Sequence, residues 1–221
     1  LQKDDIYTEP GATASDSVDD NATLTLSISI VGIVDTGTIG AYTVTYNVSD
    51  SAGNAAVQVT RTINVSDTGT PVITLIGNST INLQKNDTYT EQGATATDAV
   101  DNDVTLTNSI SINGTVNTST IGTYTVTYDV TDSAGNAAAQ VTRIINVSDT
   151  GIPVLTLTGN STVNLQKGDT YNELGATATD AVDNNATLTA SISINGIVNS
   201  NTIGTYTVTY NVTDSAGNAA V

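Results

Sequence analysis

The sequence predicts an all-β protein made of three tandem β-sandwich domains, each with about seven short strands. Segments that alternate apolar and polar residues recur along all 221 residues, with Gly, Asn and Asp turns about every 8–12 residues. This pattern returns three times at one fixed spacing, and no segment shows the period of an amphipathic helix. Together, the alternation and the repeat indicate a string of small sandwiches.

The repeat keeps one length throughout. Leu1-Gln2-Lys3 returns at Leu83 and again at Leu165, 82 residues apart each time. A unit of this size is too long for one coil of a solenoid and suits a small independent sandwich. We therefore predict three domains. Their boundaries are 1–69, which lacks a first strand, 70–151, which is complete, and 152–221, which lacks a last strand. We interpret the chain as a window on a longer array, with strand donation between subunits as the alternative.

The segment 122–136 is expected to form the central hairpin of the middle domain. Tyr124, Val126, Tyr128 and Val130 alternate with polar residues, and Asp-Ser-Ala-Gly-Asn follows as a turn. The Tyr124 hydroxyl is expected to bond a backbone group just upstream, as in the tyrosine corner of immunoglobulin-like sandwiches.

Further strands of the middle domain are predicted before and after this hairpin strand. Arg143 is anomalous, because it shares the inward parity of Ile145 and Val147. Either a bulge shifts the register, or an inward charge blocks pairing at a sheet edge. The remaining strand segments are 71–75, 81–83, 91–98, 109–113, 116–120 and 138–147.

The composition excludes several kinds of function. The chain has a formal charge of −17, with five Lys and Arg against twenty-two Asp and Glu, and it contains no His or Cys. Nucleic acid and anionic membranes are therefore unfavourable partners, whereas divalent cations are favourable ones. Zinc sites, thiol nucleophiles and imidazole bases are excluded. No apolar run approaches the roughly 20 residues that span a bilayer, so no membrane insertion is expected.

Carboxylates are the candidate functional groups. In an immunoglobulin-like sandwich, the acidic loop 98–103, the turn after the sixth strand and the incoming linker meet at one end of the domain. Calcium requires six to eight oxygen ligands, and loop carboxylates from three segments can supply them. The alternative is that these Asp residues only build turns. The candidate metal ligands are Asp67, Asp98, Asp101, Asp103, Asp132, Asp149, Asp180, Asp183, Asp214 and Glu91.

Asn-x-Ser/Thr sequons form a second group of candidates. They fall in turns or at outward strand positions, where a glycan would leave the core undisturbed. The alternative is an Asn-rich turn composition without modification. The candidate glycosylation sites are Asn21, Asn47, Asn64, Asn78, Asn86, Asn113, Asn117, Asn146, Asn160, Asn185 and Asn211.

The chain resembles the bacterial Ig-like surface-protein repeat, akin to hyaline-repeat modules. The resemblance covers the whole chain and depends on four motifs in fixed order: Pro-Val-Ile-Thr-Leu, Tyr-x-Glu-x-Gly-Ala-Thr-Ala-Thr-Asp, Ile-Gly-Thr-Tyr-Thr-Val-Thr-Tyr and Thr-Asp-Ser-Ala-Gly-Asn. It implies tandem immunoglobulin-like sandwiches on secreted or cell-surface proteins, and it implies no particular ligand.

These observations lead to a functional hypothesis. The chain is expected to be a non-catalytic array in an extracellular, cell-surface protein, such as an adhesin stalk or filament, with calcium stiffening the junctions between neighbouring repeats. One alternative is a carbohydrate- or protein-binding accessory module of a secreted enzyme. A second is a fibre subunit that self-assembles by strand exchange.

Overall fold

The structure is a computed structural model that describes residues 1–221. The chain divides into two compact units. The first contains Leu1–Ile76, Gly93–Ile112 and Thr127–Val141. The second contains Gly77–Gln92, Asn113–Val126 and Thr142–Val221. Each unit thus combines one terminal repeat with part of the middle repeat.

The first repeat forms one three-stranded antiparallel sheet and one short helix. The sheet order is β1-β2-β3, and the segment Leu1–Gln2 runs parallel to the end of β3. Val44, Tyr46 and Ile63 form its buried core. The elements are α1 (Asn21–Leu26), β1 (Ser29–Val31), β2 (Gly40–Asn47) and β3 (Val59–Val65).

The middle repeat contains six strands and one helix, arranged in two sheets. One sheet pairs β4 with β6, and the other has the order β5-β9-β8-β7. β5 runs parallel to β9, with Thr80 opposite Ile144 and Gln84 opposite Ser148. The elements are β4 (Val72–Leu75), β5 (Thr80–Gln84), β6 (Ala94–Thr97), α2 (Asp103–Asn108), β7 (Ser111–Asn113), β8 (Gly122–Asp129) and β9 (Val141–Ser148).

The third repeat has two two-stranded antiparallel sheets. One pairs β10 with β11, the other pairs β12 with β13, and Ala178, Leu188 and Val212 are buried together. Residues 162–166, which correspond to β5, form no strand. In the middle repeat β5 takes its backbone hydrogen bonds from β9, and residues 152–221 contain no counterpart of β9. The elements are β10 (Val154–Leu157), β11 (Ala176–Thr179), α3 (Asn185–Ala190), β12 (Ser193–Asn195) and β13 (Thr209–Asn211).

The predicted central hairpin is confirmed. β8 and β9 occupy the two middle positions of their sheet, and Val126, Tyr128 and Val130 are buried as their parity requires. The Tyr124 hydroxyl donates to the Thr120 carbonyl at 2.8 Å, which is the expected tyrosine corner. Tyr42 and Tyr206 make the equivalent bonds to Thr38 and Thr202.

Two parts of the strand prediction are wrong. The segment 116–120 is turn and loop rather than strand, and each repeat contains a six-residue helix that the sequence pattern did not reveal. The helix forms because Asn102 caps it: its side-chain oxygen accepts from the Thr105 N–H at 3.0 Å, and Leu106 turns into the core. A helix of this length buries one side chain, so its sequence shows no helical period.

Arg143 faces inward without a bulge. Exposure alternates without interruption along β9, and Arg143 itself is 0% exposed. Its guanidinium pairs with Glu91 and donates to the Asn78 carbonyl at 3.1 Å. The second alternative, an inward charge at a sheet edge, is therefore correct that the side chain points inward. It is wrong that the charge blocks edge pairing, because β9 lies between β5 and β8 and is not an edge strand.

Candidate metal sites

Hydrogen bonds from its own backbone organise the acidic loop before α2. Asp98 Oδ1 accepts from the N–H groups of Val100 at 2.8 Å and Asp101 at 3.3 Å. Asp103 Oδ1 in turn accepts from the Asp98 N–H at 3.2 Å. These bonds fold the loop into an Asx-type turn, which fixes where the Asp98 and Asp101 carboxylates lie.

The linker that enters the middle repeat brings Asp67 to this loop. Asp67 follows β3, and its Oδ1 accepts from the Gly69 N–H at 3.0 Å and from Gln2 Nε2 at 3.1 Å. Gln2 also accepts from the Thr68 N–H at 2.5 Å, so one glutamine holds two successive linker residues. A Cβ added at Gly69 would lie 3.5 Å from Asp98 Oδ2, which shows how closely the linker passes the loop.

Three carboxylates converge where the linker meets the loop. Asp67, Asp98 and Asp101 each offer one oxygen, and these three oxygens lie within 4.8 Å of one another. Asp67 is only 7% exposed. The Oδ2 atoms of Asp67 and Asp101 are buried and accept no hydrogen bond. We call this group triad 1.

The next junction repeats the arrangement. Asp149, Asp180 and Asp183 also place one oxygen each within 4.8 Å, and we call them triad 2. Asp149 is 7% exposed, and the Oδ2 atoms of Asp149 and Asp183 are again buried without a partner. Gln84 takes the role of Gln2, donating to Asp149 Oδ1 at 2.9 Å.

No lysine or arginine neutralises either triad. The ion pairs join Lys3 to Asp4, Arg61 to Glu9 and Arg143 to Glu91, and none of them involves a triad aspartate. A buried carboxylate oxygen without a donor or a counter-charge is costly. Both triads therefore have the geometry and charge of a site that could hold a metal ion, with ligand atoms of the hard-oxygen type that calcium prefers.

Asp132 lies near the linker, but its carboxylate is used within its own turn. Its Oδ1 accepts from the N–H groups of Ala134 and Asn136, and its Oδ2 accepts from Asn136 Nδ2. Burial acts to raise the pKa of Asp132, but the hydrogen bonds from Asn136 and the turn backbone outweigh it and lower that pKa overall. The same Asn136 Nδ2 lies 3.4 Å from the Asp67 carbonyl, so the turn reaches the linker through Asn136.

The structure places the other predicted ligands outside the triads. Asp214 closes the equivalent turn with Asn218, which contacts the Asp149 carbonyl at 3.4 Å. Asp103 is exposed at the start of α2. Glu91 pairs with Arg143 and accepts the hydroxyl hydrogen of Tyr89. The structure thus brings six of the ten candidate carboxylates together in two groups of three.

The sequence analysis missed Gln2 and Gln84. Both belong to the Leu-Gln-Lys segment that marks the repeat, so the recurrence of this glutamine at a fixed spacing was the available signal. Their partners lie 65 and 66 residues further along the chain, a separation that local pattern does not reveal.

Nine of the eleven sequon asparagines are exposed, and Asn47 and Asn146 are half-buried. Asn146 donates to Asn82 Oδ1 at 3.0 Å, so its amide is engaged within the sheet. Asn78 and Asn160 occupy exposed turns after β4 and β10. Glycosylation at these positions stays a prediction.

The tyrosines do not form an exposed platform of the kind that stacks on sugars. Eight of the nine are buried or half-buried, and Tyr206, the exposed one, is 37% exposed and bonds Thr202. Nothing in the arrangement of the aromatic rings therefore favours the carbohydrate-binding alternative.

The sheets, the tyrosine corners and the recurring junctions define a tandem array of immunoglobulin-like β-sandwich repeats. The chain matches the family described as "Bacterial surface protein, Ig-like domain" over residues 1–65, 73–147 and 155–221. These matches cover most of the chain, so the protein belongs to this family. The resemblance and the fold class predicted from the sequence are both confirmed.

Individual relatives come from diverse sources. The chain is 27% identical over 215 residues to an uncharacterized 81.3 kDa protein of Acholeplasma phage L2, covering 95% of this chain and 29% of that protein. It is 32% identical over 223 residues to hyalin of Strongylocentrotus purpuratus, covering 97% of this chain and 18% of hyalin. The chain thus spans less than a third of the length of these curated relatives.

Among solved structures, the lipoprotein BT2262 from Bacteroides thetaiotaomicron is 26% identical. The alignment has a TM-score of 0.32 and covers 39% of this chain and 45% of that one.

None of the helices in the present structure is long and apolar enough to cross a membrane.

Proposed function

We propose that this chain is a non-catalytic spacer array of an extracellular, cell-surface protein, an adhesin stalk or filament, whose inter-repeat junctions are held by calcium. The observation that carries this proposal is that two carboxylate oxygens at each junction are buried and accept no hydrogen bond. They are the Oδ2 atoms of Asp67 and Asp101 at the first junction, and those of Asp149 and Asp183 at the second. Membership of a bacterial surface family supports the cellular setting.

Calcium suits the triads because of their ligand chemistry. Three carboxylates carry three negative charges in a partly buried space, and all the ligands are hard oxygens. Calcium accepts six to eight oxygens in flexible geometry, so water and nearby carbonyl groups can complete its shell. Magnesium demands a nearly ideal octahedron and gives up its water reluctantly, so we expect it to bind more weakly.

A bound ion would act as a clasp between repeats. One ligand of each triad comes from the linker and the other two come from the loop of the following repeat. Without a cation, the three carboxylates repel one another, which favours separation of linker and loop. With a cation, the same charges attract a common centre and hold the linker in place.

The test is calcium titration of the 221-residue chain by calorimetry, combined with thermal melting. We expect two bound ions, and at 100 times the dissociation constant each adds about 2.7 kcal/mol to the stability of the state that binds it. The matched control is the variant Asp67→Asn with Asp149→Asn, which keeps the turn acceptor Oδ1 and removes one charge per site. Equal melting temperatures in calcium and in chelator would reject the calcium proposal.

We also propose that exposed sequons carry N-linked glycan in the native protein. The support is their position, since Asn78, Asn160 and Asn211 are exposed beside turns or on outward strand faces. Intact mass of the protein from its native source, before and after enzymatic deglycosylation, tests this proposal. An unchanged mass would contradict it.

A further inference from the structure

The loop and the linker that form the two junction sites differ at one charged position. Asp103 follows the loop of triad 1, and the corresponding residue after the loop of triad 2 is Asn185. The first repeat also has an asparagine here, Asn21. The triads themselves do not differ in composition, because each aspartate of triad 1 has an identical counterpart in triad 2, 82 residues away.

Asp103 and Asn185 do the same structural work. Asp103 Oδ1 accepts from the Asp98 N–H at 3.2 Å, and Asn185 Oδ1 accepts from the Asp180 N–H at 3.0 Å. Asn21 Oδ1 makes the same bond to the Asp16 N–H at 2.9 Å. Both side chains have nearly the same size and brace the same backbone group, so the sites differ in charge and not in shape.

The extra charge lies directly beside the site. The residue braced by Asp103 is Asp98, itself a member of triad 1. Asp103 is exposed, so water and salt weaken its field, but it still adds a fourth negative charge next to the three that face the ion.

We propose that the two junctions load in a fixed order, triad 1 at lower free calcium than triad 2, and that the charge at position 103 or 185 sets this order. The inference rests on the proposed calcium function. The array would then respond to calcium in steps. Over a range of calcium concentration, triad 1 is occupied by calcium while triad 2 is still empty. The expected ratio of dissociation constants is on the order of fivefold at low salt, and it shrinks as ionic strength rises.

The experiment isolates each site in the full chain. Asp149→Asn leaves triad 1 as the intact site, and Asp67→Asn leaves triad 2. Calcium affinity is measured by calorimetry on unglycosylated protein, since Asp103→Asn creates a sequon and Asn185→Asp removes one. We expect triad 1 to bind about fivefold more tightly, Asp103→Asn to abolish this advantage, and Asn185→Asp to give triad 2 the same advantage.

The outcomes separate the two proposals. If neither single-site protein binds calcium, the proposed function fails. If both bind with equal affinity, or if Asp103→Asn leaves the affinity of triad 1 unchanged, calcium binding stands and the ordered loading is overturned. A ratio that persists undiminished in high salt would also overturn it, because a charge effect must be screened.

Discussion

Arg143 is a fully buried charged residue in the core of the middle repeat. It is among the largest fully buried side chains, in a core that lacks Phe, Trp and Met. Its charge is matched by Glu91, which also accepts from Tyr89, and burial together with that bond raises the pKa of Tyr89. The first repeat contains the same group in Arg61, Glu9 and Tyr7. In the middle repeat, an ion pair with added hydrogen bonds to the Tyr89 hydroxyl and the Asn78 carbonyl thus forms part of the core.

We expect Arg143→Ala to destabilise the middle repeat by about 3 kcal/mol, because it leaves the Glu91 charge without its partner and opens a cavity. The measurement is the free energy of unfolding from urea denaturation. Arg61→Ala is the matched control. The Arg61 side chain is 36% exposed, against 0% for Arg143, so Arg61→Ala should lower the free energy of unfolding clearly less. Equal losses for the two variants would contradict the role assigned to burial.

At the scale of the element, the turn from Asp132 to Asn136 is stabilised by hydrogen bonds among its own residues. The Asp132 carboxylate accepts two backbone N–H groups and the Asn136 amide, and the Asp132 N–H donates to the Asn136 carbonyl at 3.0 Å. Burial opposes the ionised carboxylate, but these hydrogen bonds prevail and lower its pKa from the ordinary 3.8. A lowered folded-state pKa means that the stabilisation is complete above the unfolded-state pKa and is lost as pH falls through the folded-state value.

The stability of the hairpin is therefore expected to fall below about pH 4 in chelator. Asp132→Asn should lower the midpoint of thermal unfolding at neutral pH, because the neutral amide is a weaker hydrogen-bond acceptor. It should also flatten the decline of that midpoint as the pH falls. Unfolding midpoints measured across the range from about pH 7 to about pH 2 test this. Ser133→Ala, in the same turn and without a titrating group, should keep the wild-type slope. A decline of the same steepness in Asp132→Asn would show that other groups cause it.

The elements that the sequence predicted well are those whose cause is local. Period-two alternation marks β8, and the tyrosine corner follows from Gly-x-Tyr at the start of that strand. The short helices escaped because six residues bury one leucine each, which leaves no period to detect. Glu91 as partner of Arg143 escaped because 52 residues separate them. The same limit hid the glutamines that hold the linkers, although the acidic loops themselves were recognisable.

At the scale of the whole molecule, the two junctions should act independently. Triad 1 lies within the first compact unit and triad 2 within the second, and they share no residue. Sites without shared partners are expected to contribute additively. Each junction can then be opened without disturbing the other.

Hydrogen exchange at the linkers tests this independence. The Gly69 and Gly151 amides each donate to the linker aspartate, at 3.0 Å in both cases, so exchange there reports on linker order. Calcium should slow exchange in both linkers, 66–70 and 148–152, of the wild-type chain. In Asp67→Asn, calcium should slow exchange only in 148–152, and in Asp149→Asn only in 66–70. If either variant loses the calcium effect at both linkers, the junctions are coupled, and the array would respond to calcium as one cooperative unit instead of as a series of separate clasps.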